Sequence, residues 1–470
     1  MLDVLIAGGG ISGLTAARDL VRAGRRVRLI DARPRLGGVI ATEHIEGFTI
    51  ETGPDSLLMT KPAAAALCEE LGLTLIPTLT PRTAFILRDG QLHAIPSGSV
   101  LGLPATPEAI EQATMLSPAG RSRLARDLTE PAPPDAEDDE SIGAVIRRRF
   151  GDEAVRYLAQ PLLGGIHAGD VEHLSMRALF PRIATLDSQS GSLLQALAQQ
   201  RRAAPGQADA TADGLFRTIP SGLSTLVDAL ARELPAEAIT LSTTITRLDS
   251  SNDEHHVTLS NGETVRARSI ILALPAYTIA SLVTPFDTAL ATLCDAIGYS
   301  SSATITLCYQ RDDVNHALNG SGFVVPRGEA ATRLLAASFI TSKWPNRAPA
   351  DMVMLRAFAG GTLDADLLDR DDRDLATLAH DDLAPLLRLR ARPQFAKVYR
   401  LMRAGPQYDI GHLARVAAIE QRLAHHPGLF IAGSGFRGIG IPDTVADART
   451  VAEQVDRWLG VKAADKMSGA

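Results

Sequence analysis

Cysteine, aromatic side chains and excess positive charge are all scarce in this chain. Three cysteines occur, Cys68, Cys294 and Cys308. They form no CxxC pair, which excludes a thiolate zinc site and a redox dithiol. Three separate thiols fit buried, reduced residues of a cytosolic protein. The formal net charge is −7, whereas nucleic-acid-binding domains are usually basic, so no nucleic-acid partner is expected. Long apolar runs are missing as well. The most apolar window, 269–286, is interrupted by Pro275, Pro285 and several hydroxyl residues, short of the roughly 20 apolar residues that span a bilayer. No basic and apolar leader precedes the first strand. A cytoplasmic location is expected, with peripheral contact at the cytoplasmic membrane face left open.

Glycine is plentiful, and it is placed. In VLIAGGGISGL the residues Gly8, Gly10 and Gly13 have GxGxxG spacing. An apolar strand precedes them, a helical pattern follows from Ile11 to Ala23, and the strand Val27–Ile30 ends at Asp31. Gly8 allows the tight turn, Gly10 lets a pyrophosphate approach the backbone, and Gly13 lets helix and strand pack closely. The helix start offers free N–H groups and a positive dipole end. Asp31 is placed to accept from ribose hydroxyls and would repel a 2′-phosphate. This context points to a bound dinucleotide other than NADP. The pair Gly37-Gly38 just beyond favours FAD over NAD, because a flavin cofactor needs the chain close to its ribityl portion. Arg33 and Arg35 could steady the phosphates, though Arg33 reads better as a surface charge. A second glycine-rich turn, AGSGFRGIGIPD, spans 432–443 near the C-terminus.

At 470 residues the chain is too long for one core, so two domains are expected. The pattern gives an α/β fold. A discontinuous Rossmann-like FAD-binding domain would comprise 1–80, 215–275 and 425–460. A mixed-sheet substrate domain would comprise 81–96 and 276–424, and a mainly helical insertion, a candidate membrane-facing part, 97–200. Within these, 47–56 is a strand ending in a Gly-Pro-Asp-Ser turn and Lys61–Leu71 a helix. Residues 85–96 form a hairpin around Asp89-Gly90, and 255–275 one around Asn261-Gly262. The stretches 129–141 and 201–214 are polar loops, with Ser141 capping the next helix. A further helix, in 151–170, is expected to stop at Pro161 and Gly164-Gly165.

These motifs resemble the flavin-dependent protoporphyrinogen and coproporphyrinogen III oxidases, within the amine oxidase–phytoene desaturase superfamily. The resemblance covers about residues 3 to 458 and rests on AGGGISGL, LGGVI, ETGPDS, PLLGGIHAGD, GSLLQAL and AGSGFRGIGIPD. It implies an FAD held by Gly8, Gly9, Gly10, Ile11, Ser12 and Gly13. Asp31, Ala32, Gly37, Gly38 and Val39 would follow, then Gly53, Pro54, Asp55 and Ser56 at the flavin. Ile245 would cover the adenine end. Gly433, Ser434, Ile439, Gly440 and Ile441 would close over the flavin. The implied reaction is oxidation of a porphyrinogen to a porphyrin in heme biosynthesis. Hydride passes from a bridging carbon to flavin N5, and dioxygen is reduced to hydrogen peroxide. The Gly165 carbonyl would face the pyrrole nitrogens, and Phe323, Val324 and Phe358 would wall the macrocycle. His167 reads better as a packed histidine than as a proton carrier. Where some members hold a propionate with an arginine before the strand at 85–88, this chain has Ala84; Arg82 is the nearby substitute.

The substrate stays open between protoporphyrinogen IX and coproporphyrinogen III, as does the oligomeric state, a homodimer included. Two alternatives remain. A flavin amine oxidase usually has an acid where Ser434 stands, and an aromatic pair that six tyrosines and two tryptophans do not readily supply. The other is a non-catalytic FAD-binding scaffold. No metal site is expected.

Overall fold

The computed structural model describes residues 1–130, 139–203, 214–250, 254–329 and 332–468. Most of the two polar loops expected at 129–141 and 201–214 lies outside them. Two seven-stranded sheets organise the molecule.

The first sheet is centred on Leu2–Ala7, whose residues Val4 to Ile6 are fully buried. Val27–Ile30 runs parallel on one side and Thr264–Leu272 parallel on the other. Burial on both faces is what a continuous apolar strand in a parallel sheet requires. Strand 264–272 changes partner along its length. Its first half pairs antiparallel with His255–Leu259, which continues to Ile245–Ser250, and its second half pairs parallel with Leu429–Ile431. The start, middle and end of the chain thus share one sheet.

Helices cover both faces of this sheet. Ile11–Arg22, Ala63–Glu70, Ser224–Arg232 and the long Ile441–Ser468 share one core with it. Ala276–Val283, Thr288–Asp295 and His412–Leu423 share another on the opposite face. The packing therefore corrects the boundary drawn at 275/276. Residues 276–297 and 412–423 bury their apolar stripes on the first sheet, because strand 264–272 delivers the chain directly onto that face.

The second sheet runs in the order 395–406, 299–310, 352–360, 336–339, 322–324, 84–88, 91–94. The hairpin at its edge turns at Asp89 and Gly90, both with positive φ (51° and 73°), as a two-residue turn of this hand demands. Helix Asp372–Leu387 covers one face. The helical insertion, 107–203, has its own core around Leu124, Ile146, Leu158 and Leu163. Ser141 caps its helix as expected, accepting from Ala144 N–H at 3.0 Å. Among the described residues no helix is long and apolar enough to cross a membrane.

One helix in the insertion departs from expectation. Val155–Gly164 is a π-helix that contains Pro161 rather than ending there. The wider i→i+5 spiral is one way a helix carries a residue that lacks an N–H. The chain turns only after Gly165, whose backbone is still helical.

Candidate functional site

Ala7, Leu272 and Ile431 lie side by side at the same end of three parallel strands. Both glycine turns leave from that edge, Gly8 directly after Ala7 and Gly433 two residues after Ile431. Two strand spacings separate them, about 10 Å. Helices 11–22 and 441–468, which follow the turns, pack on each other.

The first turn is crowded at Gly8 and Gly13 and open at Gly10. A Cβ on Gly8 would sit 2.2 Å from Ala273 O, and one on Gly13 1.9 Å from Gly8 O, so the fold itself requires both glycines. A Cβ on Gly10 would approach nothing closer than Gly38 Cα at 4.0 Å. The space in front of Gly10 is therefore open. Ser12 Oγ, at the start of the helix, is buried and has no hydrogen-bond partner among the described residues. An anion at this helix start would satisfy it. Asp31 accepts from Gly9 N–H at 2.6 Å and Arg33 N–H at 2.7 Å. Thr243 N–H reaches Asp31 O at 2.9 Å, so the segment leading to the half-buried Ile245 starts beside Asp31. Arg33 and Arg35 hold the glycine loop instead of pointing at the turn. Arg33 donates to Gly38 O at 2.6 Å, and Arg35 donates to Gly38 O and Ile40 O. Gly37 N–H donates to Gly9 O at 2.8 Å. Ala32 and Val39 lie exposed on this loop.

The 53–56 turn is seated between the two sheets. Gly53 abuts Val39, since a Cβ there would meet Val39 O at 2.0 Å. Beneath it, Arg356 from the second sheet donates to Gly53 O, and Thr304 Oγ donates to Thr52 O at 3.1 Å. Asp55 accepts from Lys343 Nζ and Ser56 Oγ, both at 2.8 Å. Burial works to raise the Asp55 pKa, but Lys343 and Arg356 outweigh it and hold the carboxyl well below the usual range. Pro54 is half-buried within the turn.

The C-terminal turn is stapled from below by Tyr408. Its hydroxyl donates to Ser434 O at 2.8 Å and accepts from Gly438 N–H at 2.7 Å, bridging both arms of the loop that carries Ile439, Gly440 and Ile441. His412 stacks on Tyr408 at 3.7 Å, and Gly433 N–H donates to Asp447 at 3.0 Å. Gly433 has φ +121° with open space at its Cβ position.

A small cleft, open to solvent, lies beside this region. Gly165, Gln160, Gly169, Val325, Arg327, Leu335, Gly360 and Leu363 are among its lining residues. Gly360 lies four residues along its strand from Arg356, about 13 Å from the hold on Gly53. A Cβ on Gly165 would meet nothing closer than 3.9 Å. The Gly165 carbonyl accepts Ala168 N–H at 3.1 Å, which leaves one lone pair. Ile166, next to it, is 73% exposed. His167 packs edge-on against Phe180, and burial, with Lys61 nearby, lowers its pKa to about 4.

Strand alternation divides the three expected wall residues. Val324, Ala336 and Phe358 are in register across three strands and share the face that carries Arg356 and Thr304. Phe323 is one residue out of phase and points the other way, into the core under helix 372–387, where it packs on Phe339. It is not a wall residue. Arg82 is turned toward Thr78, donating to its Oγ1 at 2.9 Å, and is not among the lining residues of the cleft. Tyr408, Thr304, Arg356 and Arg327 escaped the sequence reading. Arg356 carries a usable signal, a charge inside the apolar strand VMLRAFAG, whereas Tyr408 has none.

The similarity to known proteins runs along nearly the whole chain. Residues 11–456 match the Flavin containing amine oxidoreductase family. The coproporphyrinogen III oxidase of Bacillus subtilis (strain 168) is 32% identical over 465 residues, covering 97% of this chain and 98% of that protein. That of Propionibacterium freudenreichii subsp. freudenreichii is 31% identical, covering 96% and 90%. A crystal structure from Exiguobacterium sp. 255-15, provisionally named a protoporphyrinogen oxidase, superposes with a TM-score of 0.85 at 32% identity, covering 97% of this chain and 98% of that one. A putrescine oxidase, with a TM-score of 0.71 at 17% identity, shares the fold alone. The chain belongs to the flavin containing amine oxidoreductase family.

Proposed function

We propose that this protein is an FAD-dependent oxidase that converts coproporphyrinogen III to coproporphyrin III, with dioxygen as the electron acceptor. The observation that carries the reading is the cleft at Gly165, lined in part by Gly360 of the same strand whose Arg356 holds the 53–56 turn. The similarity to coproporphyrinogen III oxidases along nearly the whole chain supports it.

Bound FAD would supply the two-electron acceptor that the side chains lack. The protein's part is placement. Gly8 to Gly13 and Ser12 Oγ would take the phosphates, and Asp31 the ribose, exchanging its bond to Gly9. Gly53 to Ser56 and Gly433 to Ile441 would fix the flavin end from two sides. Val324 and Phe358 would present apolar surface to the macrocycle, and Gly165 would offer its remaining lone pair to a pyrrole N–H. No covalent nucleophile is needed, because positioning and exclusion of water do the protein's share.

The test is to mix the purified, FAD-loaded protein with coproporphyrinogen III and with protoporphyrinogen IX, following porphyrin fluorescence in air and flavin bleaching without it. Faster turnover of the four-carboxylate substrate supports the proposal. Bleaching by a polyamine and not by either porphyrinogen would overturn it.

A further inference from the structure

The porphyrinogen reading leaves open what holds the substrate's carboxylates, and the following inference rests on that reading. The strand position where an arginine would be expected is Ala84, and Arg82 is committed to Thr78. Strand 84–88 runs parallel to 322–324, with Ala84 opposite Gly322. The chain continues from that neighbour through Val325 and Pro326 to Arg327. Val325 and Arg327 both line the cleft that contains Gly165, and among the described residues Arg327 is the one charged side chain that lines it.

Arg327 has a partner that can be exchanged. It donates to Asp364, which is 14% exposed and which also accepts from Arg333 at 3.1 Å. Arg333 has a second acceptor in Asp366 at 2.8 Å. Breaking a half-buried ion pair is costly when it strands one charge. Here it strands none, since Asp364 keeps Arg333 when Arg327 turns away. We propose that Arg327 is the carboxylate-binding residue of the substrate cleft, and that Asp364 occupies it until a propionate of the substrate takes its place.

The experiment compares coproporphyrinogen III with its tetramethyl ester in wild type, R327M, R327K and D364N, each loaded with FAD. R327M loses a charge-assisted contact, so KM for the acid rises roughly tenfold or more, and the ratio of kcat/KM for acid over ester falls by a similar factor. R327K, which keeps the charge and loses the fork, lies between. D364N removes the competitor and lowers KM for the acid about two- to fivefold. An unchanged acid-to-ester ratio in R327M, or an unchanged or raised KM in D364N, overturns the proposal. Should R327M hold less FAD than wild type, R327K and D364N decide in its place. Wild-type protein that turns over neither porphyrinogen removes the functional reading, and this inference with it. Wild-type turnover with an unchanged R327M ratio removes the inference alone.

Discussion

A methyl group distinguishes the glycines that the fold needs from those that a ligand needs. Gly13→Ala places its Cβ 1.9 Å from Gly8 O, so backbone must move, and the apoprotein should lose about 1–3 kcal/mol. Gly10→Ala meets no protein atom closer than 4.0 Å, and its φ of −72° suits alanine. Its apoprotein should melt with wild-type midpoint, while FAD occupancy, read from the flavin absorbance of the purified protein, should collapse. Equal destabilisation of both apoproteins would show that the space before Gly10 is not a ligand site. Tyr408→Phe is the matching probe at the other turn. It leaves Gly438 N–H without an acceptor and Ser434 O without a donor, a loss of about 1–3 kcal/mol. FAD should dissociate roughly tenfold faster, by the same reckoning, measured as fluorescence recovery on dilution. Saturating FAD should restore most of kcat.

Periodicity made most elements legible and hid their faces. The strand–turn–helix at the N-terminus and the Asp89-Gly90 hairpin follow from local chemistry, and both form where the pattern puts them. Phe323 was misread because GFVV has no alternation to show which residue faces inward. Only its register with Ala337 and Ala357 settles that, and a one-residue error reverses the face. Pro161 was misread as a stop because proline breaks an α-helix, and nothing local announces a π-helix. Gln160, within that π-helix, braces the turn that follows: its side chain donates to Gly169 O at 3.0 Å and accepts from Val171 N–H at 3.1 Å. Gln160→Ala frees both backbone groups, so the 165–170 turn should loosen. We expect kcat/KM for coproporphyrinogen III to fall roughly tenfold, as the loss of about 1–2 kcal/mol implies, with FAD content unchanged. A fall in FAD content of the same size would place the effect in the cofactor domain instead.

At the scale of the whole molecule, the sequence showed that distant segments return to one sheet, but not which helices follow them onto it. The join at 276 was drawn where the apolar strand 269–274 ends, while burial assigns 276–297 by contact with the far face of that sheet. The same long-range packing takes His255 and His412 out of water and half-buries His167, which the sequence already reads as a packed histidine. His255 is fully buried in the first sheet, His412 lies beneath the C-terminal turn, and His167 follows the Gly165 turn. Burial is the largest cause in each, and each pKa is lowered to about 4. In the unfolded chain they would titrate near 6.5. Between those values the unfolded state binds more protons, so stability is full above about pH 6.5 and is lost as pH falls through about 4. Asp287 acts lower still. Burial works to raise it, but the Leu290 N–H, His426 and Arg422 hold it at about 2, so its contribution disappears only as pH falls from about 4 toward that value. The melting temperature should therefore be level from pH 8 to 7 and fall with increasing slope below 6.5, with protons taken up on unfolding. His255→Asn removes one of them away from both glycine turns. It should flatten the profile between pH 6.5 and 4.5 while leaving FAD content alone, and a profile of unchanged slope would mean that His255 is already protonated in the folded protein.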